Sequence, residues 1–145
     1  MERAPCRGTT SAEEGETGAA PAWPVLAWQD MRALMAALAE RDGISALAPR
    51  FTILTAARTG EVRGMRWREV DLDAKLWTVP GDRMKAARMH RVPLSPAAHA
   101  VLVEVRPLMK RTDDLVFPSV RKNVALSDTA LSEVVRRIYL RSGGR

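Results

Sequence analysis

Two cations in the middle of the chain, Arg58 and Lys85, could act on an anionic group. Arg58 lies between a run of threonine and alanine and Gly60, whereas Lys85 lies in a basic stretch further along the chain. A guanidinium is planar, permanently charged and able to donate two parallel hydrogen bonds to an oxyanion. An ammonium can also give up its proton and can therefore act as a general acid. The residue types thus permit anion binding at Arg58 and proton donation at Lys85.

Each of these residues also has an ordinary structural interpretation. A long cation near the end of a helix, such as Arg58, commonly caps the last carbonyls and favours the helix dipole. A single loop lysine is usually only solvated. Glu61 follows Arg58 by three residues, where a carboxylate in the first turn of a helix is favourable to the dipole. Residue types alone leave the structural and the chemical interpretations open.

The stretch 83–91 is a second reason to consider a polyanionic partner. It contains no acidic residue and four cations: Arg83, Lys85, Arg88 and Arg91. The whole chain has a formal net charge of +6 and a pI of about 10.4. Charge alone fits a nucleic-acid partner and a solvated basic surface equally well. A cationic segment between two short strands, however, is suited to phosphates.

Two motifs resemble those of the tyrosine recombinases, the phage-type integrases. Thr55-Ala-Ala-Arg58-Thr-Gly60-Glu61 resembles the box Thr-Gly-x-Arg-x-Gly-Glu of that family, with Ala56 in place of the first glycine. Arg83-Met-Lys85, followed by His90-Arg-Val-Pro-Leu-Ser95, resembles the family's β-hairpin. The resemblance extends over about residues 25–138, and the two motifs occur in the family's order.

The resemblance implies a role for each motif residue. It implies that Arg58 contacts two oxygens of the scissile phosphate and stabilises the transition state by preorganised charge. It implies that Lys85 reaches into the minor groove and protonates the leaving 5′ oxygen, while Glu61 supports the site. His90 is expected to fix the hairpin and not to be the family's catalytic histidine. The expected DNA-binding residues are Arg58, Arg83, Lys85, Arg88 and Arg91.

The sequence contains no tyrosine in the motif context that the family's tyrosine nucleophile has. Tyr139 is the only tyrosine, and no His-x-x-Arg box precedes it. We therefore interpret Tyr139 as a packing residue and expect a truncated catalytic domain, which would bind double-stranded DNA without cleaving it. Whether the chain is an enzyme stays open. Two other hypotheses are a non-enzymatic accessory protein that interferes with an intact integrase protomer, and a remnant without function.

The elements that would position these residues indicate an α+β fold, mostly helical with a small antiparallel sheet of two or three strands. Residues 1–24 are expected to be a disordered leader, and 25–145 a partial tyrosine-recombinase catalytic domain. Apolar residues at helical spacing predict a helix over 31–38, ended by Gly43. A second helix is predicted from Ser45 to Arg58, with Gly60 as its C-cap. Pro49 should make that helix start later or kink.

Further along the chain the pattern alternates between helix and strand. A short third helix is predicted over 61–67, then strands at Leu76–Val79 and His90–Leu94, with Pro93 restricting the latter to an edge. Ser95 followed by Pro96 predicts a helix start. Ser127 is expected to cap a last helix.

Three remaining observations limit the class of protein. A single cysteine, Cys6, excludes an internal disulfide and fits a reducing compartment. The sequence has no signal-peptide pattern and no apolar run long enough for a bilayer, which predicts a cytoplasmic protein. It contains no metal-ligand spacing and no phosphate-binding glycine loop, so neither a cofactor nor a metal is expected.

Overall fold

A computed structural model describes residues 27–84, 87–121 and 124–141. The expected leader and Lys85 lie outside these residues. The described residues form five α-helices, three β-strands and several 3-10 turns. The helices are α1 (Met31–Ala39), α2 (Ile44–Thr55), α3 (Thr59–Arg63), α4 (Pro96–Val105) and α5 (Asp128–Arg141). The strands are β1 (Val70–Asp71), β2 (Leu76–Val79) and β3 (His90–Pro93).

The three strands form one antiparallel sheet in the order β1-β2-β3. Trp77 pairs with Val92, and both are buried, while Thr78 pairs with the exposed Arg91. This difference follows from the alternation of side chains along a strand, which turns successive residues to opposite faces. Pro93 lies in the outer strand β3, where it removes no bond from the middle of the sheet. The predicted fold class, mostly helical with a small antiparallel sheet, is confirmed.

The main core lies between the sheet, α2 and α4. Phe51 of α2 is fully buried against Trp77 of β2, with ring centroids 5.6 Å apart, and against Phe117, at 5.5 Å. A second cluster, of Leu34, Leu38, Ala46 and Ile138, joins α1 and α5 to α2. Apolar area removed from water in these two clusters is the main stabilising contribution, at about 25 cal/mol per Å². Both sides of α2 are therefore covered, one by each cluster.

Helix α2 differs from its predicted bounds at both places where the sequence was ambiguous. It ends at Thr55 and not at Arg58, because Ala56 adopts a left-handed conformation (φ 51°) and its N–H bonds to the Ile53 carbonyl. The prediction of Gly60 as the C-cap is therefore wrong, and Gly60 lies inside α3. Pro49 is within the helix and buried, so the helix does not start later. Burial of the apolar proline ring stabilises the fold and so offsets part of the free-energy cost of the helix hydrogen bond that proline cannot donate.

Helix α3 is also earlier and shorter than predicted. It covers Thr59–Arg63, and Trp67 instead begins a 3-10 turn that leads into β1. Trp67 is buried, as expected of a core residue. The start of α4 is confirmed: the Ser95 hydroxyl accepts a hydrogen bond from the Ala98 N–H at 3.2 Å, and Pro96 is the first helical residue.

No helix in the described part of the chain combines the length and the apolar composition that crossing a bilayer requires.

Candidate nucleic-acid interface

Arg58 lies at the start of α3. Its backbone is extended (φ −70°, ψ 144°) and it occupies the N-cap position. The expectation that it ends the preceding helix is wrong, since α2 stops three residues earlier. An interaction with the C-terminal end of the α2 dipole therefore does not account for this cation. The Arg58 side chain is 76% exposed.

The carboxylate of Glu61 binds both the side chain and the backbone of Arg58. One carboxylate oxygen, Oε1, accepts a hydrogen bond from Arg58 Nη1 at 3.1 Å, and Oε2 accepts one from the Arg58 backbone N–H at 3.3 Å. Glu61 itself is buried. It therefore caps the first turn of α3 and restrains the arginine at the same time. Because a guanidinium has five N–H donors, most of them stay accessible in so exposed a side chain.

Arg83 connects the end of β2 to α3. It follows β2 in a 3-10 turn, and its guanidinium forms an ion pair with Glu69 through Nη2. Its Nη1 lies 3.5 Å from the backbone carbonyl oxygen of Glu61, as a long hydrogen bond. Glu61 thus contacts Arg58 through its carboxylate and Arg83 through its carbonyl. The fold brings these two arginines to one residue although 25 positions separate them in the sequence.

The environment of Arg83 differs from that of a freely projecting DNA ligand. Its side chain is 26% exposed, and its Nε is buried without a hydrogen-bond partner among the described residues. In contrast, Arg88 and Arg91 are exposed. Of the arginines in the basic stretch, the structure therefore places two at the surface and one in a largely buried ion pair.

Glu69 is a residue that the sequence reasoning missed. Its side chain is 4% exposed and accepts hydrogen bonds from Trp77 Nε1 at 3.2 Å and from the Arg66 N–H at 3.3 Å, besides its pair with Arg83. One signal could have found it: an acid between Trp67 and Val70 lies where burial is expected. A buried carboxylate requires a partner.

Gly81 explains how the segment carrying Arg88 lies next to the end of β2. A Cβ atom at Gly81 would lie 2.9 Å from the carbonyl oxygen of Ala87 and 3.2 Å from the carbonyl carbon of Arg88. Only a residue without a side chain permits this approach of two backbones. Together with the pairing of Val79 with His90, it fixes where the basic stretch enters β3. His90 is exposed there, at the start of the strand.

Two residues with polar rings remain, Tyr139 and His99. Tyr139 is half-buried on α5, beside a groove that Ile53 of α2 and Thr59, the residue after Arg58, also line. His99 is in α4, with Nε2 3.1 Å from the carbonyl oxygen of Leu72. Among the described residues, no group of three His, Cys, Asp or Glu side chains could hold a metal ion. The position of Lys85 relative to Arg58 lies outside the described residues, and its role stays a prediction.

The sequence model of the phage integrase family matches residues 24–145. The chain belongs to the phage integrase family, the tyrosine recombinases. It is 35% identical over 89 residues to the prophage integrase IntA of Escherichia coli K12, covering 61% of this chain and 21% of that protein. It is 29% identical over 119 residues to the integrase of Shigella phage Sf6, covering 80% of this chain and 31% of that protein. The chain thus spans about a fifth to a third of these relatives.

Two solved structures share the fold. The XerA recombinase superposes with a TM-score of 0.61 at 20% identity, over 88% of this chain and 45% of that one. The integrase of transposon Tn1549, solved in complex with a circular intermediate DNA, superposes with a TM-score of 0.68 at 11% identity, over 88% and 47%. The family resemblance and the expected architecture are both confirmed.

Proposed function

We propose that this protein is the DNA-binding part of a site-specific recombinase catalytic domain, in which Arg58 binds a phosphate of double-stranded DNA. The observation that carries the proposal is the arrangement around Glu61. The Glu61 carboxylate binds the exposed Arg58, and the Glu61 carbonyl contacts Arg83, the first residue of the basic stretch. A phosphate held by Arg58 would therefore lie close to further cations.

The chemistry of Arg58 fits this role. A carboxylate that restrains one N–H of the guanidinium lowers the entropy lost when the remaining donors bind a phosphate. The restrained, exposed fork can donate two parallel charge-assisted hydrogen bonds. Arg88 and Arg91 would add contacts to neighbouring phosphates, which set the position of the protein on the duplex without reading its sequence.

We further propose that these 145 residues do not cleave DNA by themselves. Cleavage in this family needs a tyrosine nucleophile, and Tyr139 follows no His-x-x-Arg box. The catalytic roles that the resemblance implies, charge stabilisation by Arg58 and proton donation by Lys85 with Glu61 as support, would then be expressed only together with a nucleophile. Neither role requires a cofactor or a metal.

A binding surface without a nucleophile also suits a second role, as an accessory protein that occupies the DNA site of an intact integrase protomer. The exposed arginines Arg58, Arg88 and Arg91 support both roles equally, since each role needs phosphate contacts. Either role agrees with the expected cytoplasmic location. Recombination by an intact integrase, with and without this protein, separates them: inhibition in proportion to the occupied DNA favours the accessory role.

The proposal predicts salt-sensitive and weakly sequence-selective binding to duplex DNA. Affinity should fall with salt with a log–log slope of about −0.9 for each phosphate neutralised, hence about −2 to −3 for three arginine contacts. Fluorescence anisotropy of a labelled duplex, titrated at several salt concentrations, measures the slope. A folded protein, shown to be so by circular dichroism, that binds no duplex at low salt would rule the proposal out.

A further inference from the structure

Glu69 gathers contacts from three separate parts of the chain. Its carboxylate accepts from the backbone N–H of Arg66, from the indole of Trp77 in β2 and from Arg83 just after β2. Glu69 is buried, and a buried charge is costly unless it is paired and hydrogen-bonded. Arg83 supplies the opposite charge, so the position of its guanidinium is strongly determined.

Gly64 supplies the space that Arg83 occupies. A Cβ atom at Gly64 would lie 2.5 Å from Arg83 Nη1, far closer than real side chains approach. The same Nη1 reaches the Glu61 carbonyl. The guanidinium therefore lies against the end of α3, between the residue that restrains Arg58 and the carboxylate of Glu69. It joins the start of the basic stretch to the element that carries Arg58.

We propose that Glu69 is a positioning residue for DNA binding: through Arg83 it holds the turn Gly81–Arg83 against the end of α3. Because Gly81 of that turn lies against the backbone of Ala87 and Arg88, the turn sets the exposed Arg88, and Arg91 beyond it, for contact with the same DNA backbone as Arg58. This inference rests on the proposed function. It also gives Arg83 a structural role in place of the direct phosphate contact that the sequence suggested. The residues that act on DNA are then Arg58, Arg88 and Arg91, and the Glu69–Arg83 pair acts through them.

The sign of one charge change separates positioning from simple electrostatics. Glu69→Gln removes a negative charge from a DNA-binding protein, which by electrostatics alone would tighten binding. Positioning predicts the opposite: affinity falls roughly threefold to tenfold and the salt slope becomes shallower by about 1, as for one lost phosphate contact. The matched control is Asp82→Asn, an exposed acid beside the same stretch, which should bind DNA as tightly as the wild type or tighter. Glu69→Gln protein that binds as tightly as the wild type would overturn the inference.

Gly64→Ala tests the same pair without changing any charge. The added methyl group should displace Arg83 Nη1 and make the salt slope shallower, as Glu69→Gln does. In an Arg83→Met background the same substitution should have no further effect, because the atom that it meets is gone. An equal loss of affinity with and without Arg83 would contradict the inference. This variant also keeps the test valid if Glu69→Gln fails to fold.

A measurement without DNA distinguishes failure of this inference from failure of the proposed function. The Trp77 indole N–H donates to Glu69, so its NMR resonance should shift in Gly64→Ala protein and not when Arg83 is already Met. Wild-type protein that does not bind DNA would reject the proposed function and, with it, the role of Glu69 in binding. Wild-type binding with unaltered affinity and slope in Gly64→Ala protein would reject the positioning role alone.

Discussion

At the scale of single residues, Arg58 differs from the exposed Arg68 in the kind of carboxylate with which it pairs. A buried glutamate restrains it, whereas Arg68, for example, pairs with the exposed Asp113 at 2.8 Å. Restraint by a buried group lowers the entropic cost of binding a ligand, because the side chain has less rotamer freedom left to lose.

Replacing Arg58 by alanine should weaken duplex binding by about 1.5–3 kcal/mol, as expected for a charge-assisted contact. Arg68→Ala is the matched control, since it removes an exposed, ion-paired arginine of the same charge, and it should cost much less. Anisotropy titrations at one salt concentration compare the two. Equal losses in the two variants would mean that Arg58 contributes only to overall charge.

Lys85→Ala should weaken DNA binding less than Arg58→Ala does. Its implied role as a proton donor is expressed only when the leaving oxygen departs, which we propose does not happen in this chain. Binding of the two variants to the same duplex tests the order. A greater loss for Lys85→Ala would assign to this lysine a ground-state phosphate contact.

At the scale of elements, the structure shows two attachments of the basic stretch, one at Arg83 and one at Ala87 and Arg88. Arg83 is tied to Glu69 and α3, and Ala87 and Arg88 lie against Gly81 at the end of β2. Both attachments depend on glycines that leave room for another part of the chain. The elements are thus fitted around close approaches and not only around apolar contacts.

Gly81→Ala should destabilise the fold by about 1–3 kcal/mol, because the methyl group meets backbone atoms that have to move. The matched control is Gly60→Ala in α3, where a Cβ atom would meet nothing within 4 Å. Alanine there should stabilise by about 0.5–1 kcal/mol, because it has the better helix propensity. Urea denaturation gives both free energies of unfolding. A stabilising Gly81→Ala would show that the two backbones are not in contact in solution.

At the scale of the whole molecule, the two apolar clusters of the core lie on either side of α2. Phe51 in the main cluster and Ala46 in the second belong to the same helix, so α2 joins the sheet side to the α1–α5 side. Tyr139 lies on α5, packed near α2. That Tyr139 has no nucleophilic role stays a prediction from the sequence, in which no His-x-x-Arg box precedes it.

No covalent protein–DNA adduct should form when this chain meets a suicide substrate that traps a 3′-phosphotyrosine. Such chemistry requires a tyrosine nucleophile, which in this family follows a His-x-x-Arg box, and no such box precedes Tyr139. Denaturing gel electrophoresis of labelled substrate detects the adduct, with an intact tyrosine recombinase as the positive control. A trapped species that disappears in Tyr139→Phe protein would show that Tyr139 is the nucleophile.

The sequence by itself determined what depends on near neighbours. The Ser95–Pro96 helix start and the strands before and after the basic stretch follow from local rules of capping and alternation. The two motifs also identified the family. Capping and strand alternation depend on residues that are close in the sequence, so these features needed no knowledge of the rest of the chain.

Only the tertiary structure decided what depends on distant partners. Alanine has no preference for a left-handed conformation. The residue type at position 56 therefore does not predict that α2 ends at Thr55 and that Arg58 begins the next helix. The pairing of Glu69 with Arg83 spans 14 residues, and Arg83 lies beside Gly64 only because the turn after β2 reaches the end of α3. Arg83 and Arg91 have the same side chain and the same basic surroundings in the sequence. Packing alone makes Arg83 a partly buried ion-pair partner of Glu69 and leaves Arg91 exposed, because burial is a property of the assembled fold.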